Sequence, residues 1–126
     1  MPTKHVLTPH APKPLGPYSQ GVISGGVLYC SGQIALDPDS GRLVEGGIEE
    51  QTDRVLLNLL AVLREAKMGP ENVVKTTVYL ADMADFARMN EVYARHLGKQ
   101  PPARTTIQAA GLPMGVRVEI DMVAAF

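Results

Sequence analysis

The sequence contains one cysteine, no long apolar run and no run of basic residues. Cys30 is the single cysteine among 126 residues, so no disulfide can form within the chain, which fits a reducing compartment. No apolar stretch approaches the roughly 18–20 residues that span a bilayer, so we expect no membrane segment. The N-terminal stretch is punctuated by proline and has no continuous apolar segment, and we expect no signal peptide there.

Charged side chains are balanced in sign, and no part of the chain concentrates Lys or Arg. There are 12 basic and 13 acidic residues, which gives a net charge of −1. Because nucleic-acid binding depends mainly on clustered Lys and Arg that neutralise phosphates, we do not expect a nucleic-acid partner. The histidines, His5, His10 and His96, lack the spacing of metal ligands, so we expect no metal site.

The length of the chain predicts one domain over residues 1–126. Its patterns predict, in chain order, strands over 20–24 and 27–33, a helix over 49–67, a strand over 73–80, a helix over 83–97, and strands over 104–109 and 116–126. Gly25-Gly26 is the expected hairpin turn between the first two strands. The order ββ-α-β-α-ββ predicts an α+β fold in which two helices pack on one face of a mixed sheet.

Local signals add detail to this outline. Residues 1–17 are predicted to be extended, because each proline restricts its own φ and the residue before it. The longer helix carries an apolar stripe at helical spacing, which indicates a core-facing surface without chemistry. The stripe consists of Val55, Leu56, Leu59, Leu60, Leu63 and Ala66. Asp82 or Asp85 is the expected cap of the second helix.

The last two strands predict a polar surface, because their side chains alternate in character. In the strand over 104–109, the polar face holds Arg104, Thr106 and Gln108, and the other face holds Thr105, Ile107 and Ala109. In the strand over 116–126, the polar face holds Arg117, Glu119 and Asp121, and the apolar face holds Val116, Val118, Ile120 and Met122. If these strands pair with each other, the polar faces coincide and the apolar faces lie under the helices, unless the register slips. That surface is either an ordinary solvent-facing sheet or an oligomer interface with a polar site, and the pattern does not decide between them.

Short motifs follow one another along nearly the whole chain. They are Gly16-Pro17-Tyr18-Ser19-Gln20-Gly21, Ser31-Gly32-Gln33-Ile34, Val74-Lys75-Thr76-Thr77-Val78-Tyr79-Leu80, Asp85-Phe86 with Asn90, Pro102-Ala103-Arg104-Thr105-Thr106, Leu112-Pro113 and Val118-Glu119-Ile120. Each motif is weak alone. Together and in this order they closely resemble the RidA family (reactive intermediate/imine deaminase A, also called YjgF).

The resemblance implies a chorismate-mutase-like α+β fold and a homotrimer, in which the sheets form a central barrel with the helices outside. Equivalent sites would lie in the clefts between subunits, so the polar sheet face would be internal to the assembly. The implied activity is cytoplasmic hydrolytic deamination of enamines and imines of the 2-aminoacrylate/2-iminopropionate class to 2-oxo acids and ammonia. The implied substrate is a small imine with a carboxylate, and no cofactor or metal is implied.

The resemblance assigns the main site roles to Arg104, Glu119 and Tyr18. The planar fork of Arg104 would grip the substrate carboxylate through two charge-assisted hydrogen bonds. Glu119 would position or deprotonate the attacking water and assist ammonia departure, a role that a pKa raised by burial would suit. Tyr18 would close the pocket and hydrogen-bond substrate or water. By pattern alone these residues also fit a surface arginine, an exposed strand charge and a packing tyrosine.

Four further residues complete the implied site. The Ser31 hydroxyl would bond water or substrate and Gly32 would let a ligand approach the backbone, although both also fit a bulge. Asn90 matches a polar family position on a helix. Thr106 stands where many relatives carry cysteine, which excludes a thiol role there but leaves its N–H and hydroxyl able to bind a carboxylate. Cys30 points away from Ser31 and is expected to be a small buried hydrophobe.

Two other functions stay open. The same clefts would serve a module that binds small carboxylates for sensing without turnover, and such binding would survive loss of the Glu119 carboxylate. Some relatives have been assigned RNA cleavage or translation inhibition. The balanced charge and the lack of an aromatic and basic stripe count against that activity here.

Overall fold

The computed structural model describes residues 2–126. In chain order the elements are β1 (Lys4–Val6), β2 (Gly21–Ser24), β3 (Val27–Gln33), α1 (Ile48–Glu65), β4 (Val73–Leu80), α2 (Phe86–Leu97), β5 (Ala103–Gln108) and β6 (Val118–Ala125). All six strands form one sheet in the order β1-β2-β3-β6-β4-β5, in which β4 and β5 are parallel and the other neighbours are antiparallel. Both helices pack on the same face of this mixed sheet, so the predicted fold class is confirmed.

The order of elements differs from the prediction at the N-terminus, where β1 precedes the predicted strands. Residues Lys4–Val6 pair antiparallel with β2, opposite Gly21–Ile23. This strand lies between Pro2 and Pro9, where no proline blocks the ladder, but its three residues are too few to show a period. The Gly25-Gly26 hairpin turn is confirmed, since both glycines have positive φ and Ser24 pairs with Val27.

Both helices are shorter than predicted, and their termini give the reason. Lys67, the predicted end of the first helix, has a φ of 63°, a left-handed conformation that cannot continue an α-helix. Ahead of the second helix, Met83–Asp85 forms a 3₁₀ turn instead of an α-helical turn. The Asp82 side chain accepts a hydrogen bond from the Ala84 N–H at 2.9 Å and so caps that turn.

The core lies between the helices and the sheet, and the apolar patterns of α1 and β6 form much of it. Val55, Leu56, Leu59 and Leu63 are fully buried, as the helical stripe predicts, although Leu60 is only partly buried. On β6 the alternate residues Val118, Ile120, Met122 and Ala124 are buried, and the residues between them face the uncovered side of the sheet. We call this uncovered side the open face.

The pairing of β5 contradicts the predicted polar surface. β5 does not pair with β6 but with β4, because the chain runs from β4 through α2 to β5, and such a crossover gives parallel strands. In the register of this sheet Arg104 is opposite Thr76, a buried residue under the helices, whereas Glu119 is opposite Tyr79 on the open face. Side chains at paired positions share a face, so Arg104 and Glu119 lie on opposite faces of one sheet.

Every side chain of β5 therefore lies on the face of the sheet opposite to the predicted one. Thr106 and Gln108 lie on the helix side with Arg104, and the Gln108 Oε1 accepts a hydrogen bond from the Met83 N–H at 2.8 Å. Ile107, expected under the helices, is on the open face with 43% of its surface exposed. Arg117 lies just before β6 and forms an ion pair with Asp85 at 3.7 Å instead of joining a shared polar surface.

One buried side chain fixes the extended N-terminal segment to the sheet. Gln20, 1% exposed, accepts a hydrogen bond from the Thr8 N–H at 2.7 Å. Its amide nitrogen lies within hydrogen-bond distance of the carbonyl oxygens of Thr8, Ala11 and Pro12, at 3.1, 3.3 and 3.0 Å. A proline-rich segment has few N–H groups for a ladder, so this single amide substitutes for one.

We predict that Gln20→Leu destabilises the fold by about 1–3 kcal/mol, because it leaves buried backbone groups without partners. Urea unfolding measures the loss, and hydrogen exchange at the Thr8 amide should speed up. Gln100→Leu, at an exposed position, is the matched control and should change stability by less than about 0.5 kcal/mol. Equal stability of the two variants would show that Gln20 does not hold the segment.

Candidate functional site

A cavity of about 460 Å³ lies between the N-terminal segment, the end of β3 and β6. Four of the residues predicted for the site line it, namely Tyr18, Ser31, Gly32 and Glu119. Much of the remaining wall is apolar and includes Pro12, Leu15, Ile34, Leu36 and Pro113. Lys13 and Gln33 also line it, so the cavity combines an acidic group, a basic group, an amide and two hydroxyls with a largely apolar wall, which is typical of a small-molecule site.

A bulge in β3 creates the polar side of this cavity. The pairing of β3 with β6 shifts between Cys30 and Gln33, so Ser31 and Gly32 leave the regular ladder. A Cβ at position 32 would overlap the Glu119 carboxylate, so glycine is what gives that carboxylate its space. The bulge and the site, which the sequence offered as alternatives for these residues, are thus the same feature.

The two hydroxyls of the cavity differ in what they have left to offer a ligand. The Ser31 hydroxyl donates its proton to the Ser19 carbonyl at 2.5 Å, so towards a ligand it acts as an acceptor. The Tyr18 hydroxyl accepts a hydrogen bond from the Leu15 N–H at 3.1 Å and keeps its own proton for donation. Tyr18 is about half exposed, and its ring stands at the turn that begins at Gly16.

The environment of Glu119 favours its protonated form. Partial burial raises the pKa of this carboxyl above its ordinary value, and the negative charge of Asp121 on the same face raises it further. The Tyr79 hydroxyl donates a hydrogen bond to the Asp121 Oδ2 at 3.2 Å, which keeps Asp121 beside the site. By contrast, Cys30 lies in the core, where burial raises the pKa of its thiol to about 12, as expected of a small buried hydrophobe.

Arg104 lies on the other face of the sheet, against α2. Its guanidinium carbon is 4.8 Å from the ring centroid of Tyr93 and 5.5 Å from that of Phe86. Within residues 2–126 the guanidinium forms neither an ion pair with a carboxylate nor a side-chain hydrogen bond. Its N–H donors are therefore available to a ligand.

Two buried polar atoms accompany Arg104 on this side. The Asn90 Oδ1 and the Thr106 Oγ1 are buried, and neither has a hydrogen-bond partner among the described residues. Asn90 follows Phe86 by one helical turn and precedes Tyr93 by nearly another, so all three share the face of α2 that meets Arg104. The Thr52 Oγ1 of α1 is a third such atom. Buried polar atoms usually have a partner, so the Asn90 and Thr106 oxygens have hydrogen-bonding capacity left for water, a ligand or a second chain.

The seven predicted residues thus form two groups on opposite sides of one sheet. We call Tyr18, Ser31, Gly32 and Glu119 the carboxylate group, and Asn90, Arg104 and Thr106 the guanidinium group. Phe86, Tyr93 and Asp121 are not among the residues predicted from the sequence for the site. The spacing of Phe86, Asn90 and Tyr93 by four and three residues was the available signal, but it resembled an ordinary core stripe.

The remaining charged residues give no sign of a metal centre. In the described part of the chain no group of three or more His, Cys, Asp and Glu side chains is placed to hold a metal ion. His96 interacts with Asp53 of α1 at 2.7 Å. Over the same residues, neither helix combines the length and apolar character needed to cross a bilayer.

Comparison with known proteins identifies the class to which this fold and these two groups belong. The family model described as Endoribonuclease L-PSP matches residues 8–126. The chain is 48% identical to the mouse 2-iminobutanoate/2-iminopropanoate deaminase over 121 residues, which cover 96% of this chain and 90% of that protein. The chain therefore belongs to the Endoribonuclease L-PSP family, also known as RidA/YjgF.

Solved structures agree with this assignment. RidA from the Antarctic bacterium Psychrobacter sp. PAMC 21119 superposes with a TM-score of 0.94 at 38% identity, covering 98% of this chain and 99% of that one. E. coli TdcF, solved with bound serine, gives a TM-score of 0.93 at 35% identity, with 98% of each chain covered. The fold seen here is thus that of the family over essentially its whole length.

We predict that Asp121→Asn lowers the pKa of the Glu119 carboxyl, because it removes a neighbouring negative charge. The pKa should stay above that of an ordinary glutamate, since burial is the larger cause and persists. A carbon-detected NMR titration of the Glu119 side chain measures it. Asp53→Asn, on the helical side, is the control and should leave the Glu119 titration unchanged. A titration that Asp121→Asn does not move would refute the coupling.

Proposed function

We propose that this protein hydrolyses reactive enamines and imines of the 2-aminoacrylate/2-iminopropionate class to 2-oxo acids and ammonia. The site that we propose is assembled from two copies of the chain, one supplying the guanidinium group and its neighbour the carboxylate group. The observation that carries the proposal is that Arg104 and Glu119 lie on opposite faces of one sheet. They can meet on one small substrate only if they come from different chains.

The open face of the sheet supports the assembly on which this site depends. It carries large apolar side chains with substantial exposure, including Tyr29 at 51% and Ile107 at 43%. Exposed apolar surface of this kind is typical of a protein–protein interface. A homotrimer with the sheets forming a central barrel, as implied by the family resemblance, would cover this face and bring the edge strand β5 of one subunit towards the cavity of the next.

Substrate binding would use the guanidinium group. The free N–H donors of Arg104 fit the two oxygens of a substrate carboxylate. The unpaired Asn90 Oδ1 and Thr106 Oγ1 offer an acceptor and a hydroxyl beside it. In this arrangement Thr106 needs no thiol to fill the role of the cysteine common in relatives. Asn90 and Thr106 would gain in the complex the partners that they lack in the single chain.

The chemical steps would use the carboxylate group. The enamine tautomerises to the imine, and water adds across the C=N bond, so that a C–O bond forms and a proton reaches the nitrogen. Collapse of the carbinolamine breaks the C–N bond, releases ammonia and leaves the 2-oxo acid. Glu119, whose pKa is raised above its ordinary value by burial and by Asp121, would take the proton from water and return it to the departing nitrogen. Tyr18 would donate a hydrogen bond, and Ser31 would accept one.

The relatives support this reading at the level of chemistry. One carries a name that states deamination of 2-iminobutanoate and 2-iminopropanoate, and another binds serine, a small amino acid. We propose the cytoplasm as the compartment, in keeping with the single buried thiol. The family description names an endoribonuclease instead. The net charge of −1 gives RNA little electrostatic attraction, so RNA cleavage and salt-sensitive RNA binding serve as negative controls.

We predict that the purified protein accelerates ammonia and 2-oxo acid release from 2-aminoacrylate generated in situ by a dehydratase. Arg104→Ala should lower kcat/KM by about 100-fold, since both charge-assisted hydrogen bonds to the carboxylate are lost. Glu119→Gln should lower kcat by about 100- to 10,000-fold, the range for a lost general acid–base. Arg64→Ala, an exposed arginine at the end of α1, should retain the wild-type rate.

The same assay separates the competing functions. A rate no faster than the spontaneous reaction, together with saturable 2-oxobutanoate binding that survives Glu119→Gln, would indicate a binding module. Full activity of Arg104→Ala would show that the carboxylate is bound elsewhere. Circular dichroism of each variant confirms that a lost rate reflects chemistry and not unfolding.

A further inference from the structure

We propose that Tyr93 and Phe86 are positioning residues, which together hold the Arg104 guanidinium in place for a carboxylate ligand. We call the two rings the aromatic shelf. The inference rests on the proposed function in one respect, since it takes Arg104 as the carboxylate-binding residue. It adds that the affinity of the site depends on two side chains that do not touch the substrate.

The two rings of the aromatic shelf project from α2 and both lie against the Arg104 guanidinium. Both ring centroids lie within the approximately 6 Å over which an arginine is attracted to the face of an aromatic ring. Phe86 is the first residue of α2 and Tyr93 lies two turns further on, so the rings contact Arg104 from two points of one rigid element. A long arginine side chain otherwise has much rotamer freedom, which binding would have to freeze.

Aromatic rings suit this role better than a carboxylate would. An acidic partner would fix the guanidinium as well, but it would occupy the N–H donors and neutralise the charge that the ligand requires. A ring attracts the cation through its quadrupole. It leaves the N–H donors of the guanidinium free for the strong acceptors of a ligand. The absence of an ion pair to Arg104 within residues 2–126 is what this arrangement predicts.

The position of Tyr93 is itself fixed by the strand next to Arg104. The Tyr93 hydroxyl and the Thr76 hydroxyl are hydrogen-bonded at 2.7 Å, and both residues are buried. Thr76 is the residue directly opposite Arg104 in the pairing of β4 with β5. The backbone that carries Arg104 and the ring that holds its guanidinium are thus tied to the same strand, which limits how far they can move apart.

The test compares ring removal with ring retention in the full-length chain. Phe86→Leu and Tyr93→Leu should each raise the Kd for 2-oxobutanoate, measured calorimetrically, and the KM for the imine by about three- to tenfold, with kcat nearly unchanged. Tyr93→Phe keeps the ring and should stay within about twofold of wild type. Phe126→Leu, an exposed phenylalanine away from Arg104, is the matched control and should change neither value.

The KM-against-kcat split distinguishes positioning from folding, because partial unfolding lowers the apparent kcat and leaves KM as it was. If Tyr93→Leu fails to fold, Phe86→Leu decides alone, since Phe86 is 38% exposed. Wild-type Kd and KM in the leucine variants, with binding lost in Arg104→Ala, would overturn the shelf but leave the proposed function standing. Wild-type binding in Arg104→Ala would overturn both the shelf and the proposed carboxylate-binding role of Arg104.

Discussion

The parallel pairing of β5 with β4 is the constraint on which the arrangement of both residue groups depends. It follows from the α2 crossover and places Arg104 on the helix side, against the rings of Phe86 and Tyr93. β6, which pairs with β4 on its other edge, directs Glu119 to the open face of the sheet. We therefore propose that a single chain carries two incomplete half-sites, which would make the proposed chemistry a property of the assembly.

Each half-site contains features that are energetically unfavourable in the isolated chain. On one side, a bulge and a glycine admit the Glu119 carboxylate into a partly buried position, where its ionisation is disfavoured. On the other, two polar atoms are buried without partners. Both features are unfavourable in a single chain, and in the proposed assembly a ligand and a second chain would make use of them.

Sequence patterns were informative where structure is local. Strand patterns predicted the strands over 27–33 and 73–80, and the preference of glycine for positive φ predicted the Gly25-Gly26 turn. Helical spacing predicted the apolar stripe of α1. The pairing of β5 could not be obtained in this way, because a period of two shows which residues share a face but not which strand lies beside them. Ile107 suggested the wrong side, because the register of β5 against β4 sets its facing and places it opposite Tyr79 on the open face. Motif resemblance supplied all seven residues that we predict for the site, but their division between two faces required the fold.

The most direct test of this account is complementation between two inactive variants. Arg104→Ala and Glu119→Gln chains with different tags are co-expressed and purified by both tags in succession, so that every complex contains both chains. In a trimer with sites between subunits, each mixed complex holds one intact pair of groups, and activity per chain should return to about one third of wild type. Activity no higher than that of either parent would show that Arg104 and Glu119 of different chains do not form one site.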